Sequence, residues 1–126
     1  VSWRTWSLGF VAGAVLASYL TLSCEPGKAQ SAEVAYALDH AAAEYGVAPR
    51  CLYAIAWRES RYLPWVNNYQ GSGARGLMQF MPRTYAWMSA QAGYAGTSPY
   101  DAWSAAHVAA WAISRGYLSH WGGRCD

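Results

Sequence analysis

Apolar residues recur at three- and four-residue spacings along most of the chain, and no useful stretch alternates with period two. Such periodicity predicts helices and no sheet. Val34, Leu38, Ala41, Ala42 and Tyr45 fall on one face of a first helix expected over Ser31–Tyr45. Ser31 is placed to cap it, Glu33 suits the positive end of its dipole, and Gly46 ends it. A second helix should open at Pro49, whose fixed φ fits the first helical position. Leu52, Ile55, Ala56 and Glu59 follow on its apolar stripe, and Pro64 forbids continuation much beyond Tyr62. Trp65 to Arg75, with Asn67-Asn68 and Gly71-Ser72-Gly73, reads as loop. Leu77 to Met81 is expected as a short extended piece. Pro82 then opens a third helix through about Ala90, with Tyr85 and Met88 inward. Ser98-Pro99-Tyr100-Asp101 has the form of a capping box with proline at the first helical position. The last long helix should run to Arg115 and end at Gly116. The expected fold is all-α, a small helical domain over residues 32–126.

Residues 1–31 differ in kind. Arg4 precedes an uncharged run of sixteen, Leu8 to Ser23. A membrane-spanning helix needs about 20 residues, so the run fits an export signal followed by small residues near Gly27 to Ser31. An uncleaved membrane anchor through residues 8–23 is the alternative. Cys24 after Leu22-Ser23 hints at lipid attachment, although Thr21 stands where such signals carry Leu. Val1 fits either a GTG start written literally or a trimmed chain. Either reading of the segment puts the domain outside the cytoplasm, in a periplasmic, extracellular or membrane-anchored setting.

Charge narrows the partners. The net formal charge is +2, and beyond residue 31 seven Arg stand against six Asp and Glu. This gives no basic stripe and no case for nucleic acid. Arg50, Arg58, Arg61, Arg75 and Arg83 cluster centrally, either as ordinary solvated surface or as a mildly cationic rim for an anionic polymer. Eight Trp and ten Tyr are many for 126 residues. Most belong in a core, while others are suited to stack on sugar rings. Cys51 and Cys125 are the two cysteines that remain in an exported domain, which favours a disulfide over two free thiols. There is no Cys-x-x-Cys pair, and His40, His107 and His120 are far apart in sequence. A zinc site is not expected, nor is a cofactor, and a monomer is.

Between Tyr45 and Cys125 the chain has two carboxylates, Glu59 and Asp101. A carboxyl on a buried helical stripe is desolvated, which favours its protonated form. That is the form a general acid needs to protonate a glycosidic oxygen. The competing reading is a structural ion pair. Arg58 and Arg61 should point away from Glu59, because adjacent residues on a helix do not face one another; Arg75 remains a possible partner. Asp101 reads as a helix cap. Gly71-Ser-Gly73-Ala-Arg-Gly76 matches the dinucleotide fingerprint only literally, since no strand precedes it. No Gly-x-Ser-x-Gly elbow supports a hydrolase triad.

Glu59-Ser60, followed by Gly71-Ser72-Gly73-Ala74-Arg75-Gly76-Leu77-Met78-Gln79-Phe80-Met81-Pro82-Arg83-Thr84, resembles the signature of the soluble lytic transglycosylases. The similarity covers roughly Val34 to Trp121. It implies a lysozyme-like fold and bacterial peptidoglycan as substrate. By the match, Glu59 takes the place of the family's catalytic acid/base and Ser60 that of the serine beside it. Gln79 takes the place of its cleft glutamine, with Gly76, Leu77 and Met78 shaping the same wall. The family's Ala-Tyr-Asn-like block has no clear counterpart; Ala105 to Trp111 occupies about its place without the Tyr or Asn. Tyr117 is the candidate for the missing cleft tyrosine. The Tyr117 to Cys125 ending resembles the aromatic, cysteine-closed tails of some small secreted members of the superfamily.

The resemblance implies cleavage of the β-1,4 bond after N-acetylmuramic acid with one carboxyl and formation of a 1,6-anhydro end. Two alternatives stand beside it. A hydrolytic muramidase would use Asp101 as a second carboxylate. A wall-binding protein would retain the fold without activity.

Overall fold

The structure is a computed structural model and describes residues 26–126. The apolar run 8–23 and Cys24, with the signal or anchor expected there, lie outside the described residues. Among the described residues there are four helices, α1 (Pro26–Tyr45), α2 (Pro49–Ser60), α3 (Pro82–Ala92) and α4 (Ala102–Ser114), followed by a 3₁₀ turn, Leu118–Trp121. The fold is all-helical, as the periodicity predicts, and Ala32–Asp126 form one compact unit. Among the described residues no helix is long and apolar enough to cross a membrane.

Two boundaries differ from expectation. α1 starts at Pro26, five residues before Ser31. Ser31 therefore caps nothing; its hydroxyl donates to the Gly27 carbonyl one turn back, at 3.0 Å. A serine inside a helix often satisfies its hydroxyl this way. The last helix starts at Ala102 and not at Pro99, with Asp101 itself as the cap. Ser98 instead accepts from the Tyr100 amide in the preceding turn, at 3.1 Å.

α4 lies at the centre and packs against α2 and α3. Ala105, Ala106, Val108, Ala109, Ala110 and Ala112 on it are all fully buried. A helix apolar nearly all round belongs inside, and its small side chains let neighbours approach closely. α1 contributes Val34, Ala37, Leu38, Ala41 and Ala42, and α2 contributes Leu52, Ile55 and Ala56. The Tyr53 hydroxyl ties α2 to α1, donating to Asp39 Oδ1 at 2.9 Å. Burial first, then that carboxylate, pushes the Tyr53 phenol up to about 12.

α2 ends on Arg61 and Tyr62, both in left-handed conformation at φ 54° and 63°. This pair turns the chain sharply, before Pro64 could interrupt a helix. In the loop that follows, Arg75 pairs by isolated bridges with Asn67 and Phe80. Leu77 to Met81 is not extended as expected: residues 76–79 form consecutive turns, closed by Arg75 N to Phe80 O at 2.9 Å and Phe80 N to Arg75 O at 3.0 Å.

The carboxyl-terminal tail folds back over α2. Cys51 and Cys125 form the expected disulfide, closing a sequence separation of 74. Trp121 is buried, and its indole N–H donates to the Met78 carbonyl at 2.8 Å. Its ring meets Phe80 edge-on at 5.4 Å.

Candidate active site

Glu59 occupies the last turn of α2. Leu52, Ile55 and Ala56 on the same stripe are fully buried, but the Glu59 side chain retains 29% of its exposure. The stripe reaches the surface here because the helix stops one residue later. The polar residue that enters the core is Ser60. Its hydroxyl lies 2.7 Å from the Leu77 carbonyl, which accepts its proton, and 3.0 Å from the Ala56 carbonyl. One buried bond thus fixes the end of α2, with Glu59 on it, against the Gly76–Gln79 turn.

Arg58 does not point away from Glu59 as helical spacing predicts. Its Nε lies 3.5 Å from Glu59 Oε1, at the outer limit of a hydrogen bond. The guanidinium is drawn round the helix by the tail: its two terminal nitrogens donate to the Trp121 and Asp126 carbonyls, each at 2.7 Å. Those short bonds hold the cation, and Glu59 meets only its edge. The side chain of Arg61 instead lies over the exposed Trp57 ring, 4.6 Å from the centroid. Arg75 forms no salt bridge with Glu59.

The turn itself is built from backbone. Gly76 has φ +80° and its amide donates to the Val66 carbonyl at 2.7 Å. Leu77 and Met78 are fully buried, so they shape the wall from behind and offer their carbonyls to Ser60 and Trp121. Gln79 takes φ 50°, unusual for a residue with a side chain. Its amide nitrogen donates to the Val66 carbonyl at 3.1 Å and the Gly76 carbonyl at 3.0 Å. Both N–H groups are engaged, so Oε1 is what Gln79 has left to offer a ligand.

Tyr117 lies apart from this group. It packs edge-on against Trp87 at 5.6 Å and stacks with Trp111 at 6.1 Å. Among the described residues no hydrogen bond joins it to Glu59. Asp101 is occupied as a cap: its Oδ2 accepts from the Ser104 amide at 3.0 Å and from the Ser104 hydroxyl.

Two features escape a reading of the sequence. An open pocket of about 380 Å³ lies between α3 and the turns before α4, lined by Arg75, Tyr85, Ser89 and Thr97 among others. The Arg75 Nε is buried without a hydrogen-bond partner. Glu59 is not part of that lining. The second feature is a cluster of His40, Glu44 and His107, which the structure brings together although 67 residues separate the two histidines. His40 and Glu44 share a helix face four apart, a signal present in the sequence; nothing there announces His107.

An all-helical domain of this size, with its second helix bonded at its end to a glycine-glutamine turn, fits the small lysozyme-like class of helical domains. The chain belongs to the transglycosylase SLT domain family, whose model matches residues 37–123. That span takes in α2, the Gly76–Gln79 turn, α4 and most of the tail. It is a family of peptidoglycan-acting transglycosylases, consistent with the soluble lytic transglycosylases of the lysozyme-like superfamily. Comparison with curated proteins and with solved structures found no match.

Proposed function

We propose that this chain is a peptidoglycan lytic transglycosylase in which Glu59 is the single acid/base. The observation that carries the reading is the Ser60–Leu77 bond, which holds Glu59 beside the Gly76–Gln79 turn within the matched family span. The Glu59 carboxyl gives its proton to the oxygen of the β-1,4 bond after N-acetylmuramic acid, and the bond from that oxygen to C1 breaks. The 6-hydroxyl of the same sugar closes onto C1. Its proton passes to the Glu59 carboxylate, which regenerates the acid. No water is consumed, and the product is a 1,6-anhydro end. Gln79 Oε1 is assigned to a sugar donor, and exposed aromatic rings such as Trp65 and Tyr69 to stacking on the glycan. Tyr117, with Trp87 and Trp111, is assigned to a further stretch of the strand and not to the reacting bond.

Hydrolysis is the less favoured outcome, since Asp101 already serves Ser104 and glycosidases of the ordinary kind need a second free carboxylate. Residues 1–31 are assigned to export or anchoring, and residues 32–126 to catalysis outside the cytoplasm.

Glu59→Gln is expected to lower lysis of embedded cell walls by at least about 10²- to 10⁴-fold, the usual worth of a general acid, with an unchanged melting transition. Full activity in that variant removes the assignment. Mass analysis of fragments from the parent enzyme separates the chemistries, because anhydro and hydrolysed ends differ by one water.

A further inference from the structure

His40 and Glu44 lie one turn apart on α1, and His107 reaches them from α4. His40 Nδ1 is 2.8 Å from His107 Nε2, His107 Nε2 is 3.3 Å from Glu44 Oε2, and His40 Nδ1 is 3.5 Å from the same oxygen. His107 is fully buried, while His40 and Glu44 keep 43% and 44% of their side-chain exposure. Three ligand-type atoms thus converge at the mouth of a buried position, with solvent on the fourth side.

The tautomer of His107 is set by its other nitrogen. Nδ1 lies 2.7 Å from the Trp103 carbonyl. A carbonyl only accepts, so Nδ1 carries the hydrogen and neutral His107 turns its Nε2 lone pair toward Glu44 and His40. That lone pair accepts from His40 Nδ1–H at 2.8 Å, and a divalent metal ion would take the place of the hydrogen between the two nitrogens and meet Glu44 Oε2, 3.3 Å from Nε2, as well. An imidazole whose far nitrogen donates to a backbone carbonyl is also the usual preparation of a metal-bound histidine.

We infer that His40 Nδ1, Glu44 Oε2 and His107 Nε2 form a binding site for a divalent transition metal ion, zinc in the first place, that cross-links α1 to α4. Ligand atoms about 2.0–2.1 Å from a tetrahedral zinc lie roughly 3.3 Å from one another. The two nitrogen–oxygen separations match that value, and the nitrogens need to part by about 0.5 Å. Mixed imidazole and carboxylate donors suit zinc and disfavour calcium or magnesium. Trp103, 4.1 Å from the His107 ring and 4.6 Å from that of His40, holds both imidazoles in orientation. Water fills the open position. No residue of the cluster bonds to Glu59, Ser60 or Gln79, and the site stands independently of the proposed lytic activity.

The test is titration of the full chain with zinc chloride, read by calorimetry and by the shift in melting temperature. The expected result is one zinc per chain, with a melting temperature that rises with zinc concentration. His40→Ala and Glu44→Gln, both at half-exposed positions that the core tolerates, should each weaken binding by more than about tenfold. His120→Ala should leave it unchanged. No saturable binding, equal binding in the two ligand variants and the parent, or loss of binding in His120→Ala would each overturn the site.

Discussion

A Cβ built on Gly76 would lie 1.8 Å from the Pro99 carbonyl oxygen, and its φ of +80° is in the left-handed region that only glycine occupies freely. The residue lets two backbones pass where the wall beside Glu59 meets the segment that leads into α4. Gly76→Ala must therefore displace one of them. It is expected to destabilise the domain by more than about 2 kcal/mol, since a strained dihedral and a backbone clash add. Chemical denaturation measures this directly, and a variant as stable as the parent would show that the approach is not obligatory. Glu59 and Ser60 differ by a single position: one keeps 29% of its side-chain exposure while its neighbour bonds the Leu77 carbonyl in the core. Helical spacing identifies the stripe on which Glu59 lies. It does not show where the stripe leaves the core, because that depends on the left-handed turn at Arg61 and Tyr62.

Among the elements, α4 has a side-chain cap in the residue that precedes it. Asp101 accepts from the Ser104 amide, satisfying one of the donors that every helix leaves open at its start. Asp101→Ala should cost about 1 kcal/mol of stability and retain lytic activity. A thermal melt and a zymogram of the same preparation report both quantities; loss of lysis with an unchanged melt would instead make Asp101 a reacting group. The composition of Ser98 to Asp101 marks a helix start, and a start is what the structure has. It lies three residues later than proline at a first helical position implies, because Ser98 spends its hydroxyl on the turn before Asp101. Likewise α1 runs back past Ser31 to Pro26, since a serine with a carbonyl four residues behind it does not have to stop a helix.

At the scale of the molecule, the tail and α2 form one clamp. The disulfide joins Cys51 to Cys125, Arg58 holds the Trp121 and Asp126 carbonyls, and Trp121 bonds Met78 behind the candidate site. Replacing Cys51 and Cys125 together by serine should lower stability by roughly 4 kcal/mol, the chain-entropy value for a loop of this length. Denaturant unfolding of the two forms gives the difference. A loss far below that would show that Arg58 and Trp121 hold the tail without the covalent bond. Pairing of the two cysteines is legible from their number and setting. The Arg58 contacts span 63 and 68 residues and have no local signature.

Hydrophobic periodicity, prolines and glycines settle by themselves that this is a set of helices and roughly where each begins, since those preferences act within a turn or two. The Glu-Ser and Gly-Leu-Met-Gln motifs mark the residues of the candidate site in the same local way. Tertiary structure alone decides what those residues touch. It turns Arg58 toward the tail, spends Asp101 on a cap, and brings His107 within 2.8 Å of His40. Contacts between distant segments depend on how helices pack, and packing is a property of the whole fold that no single stretch of chain contains.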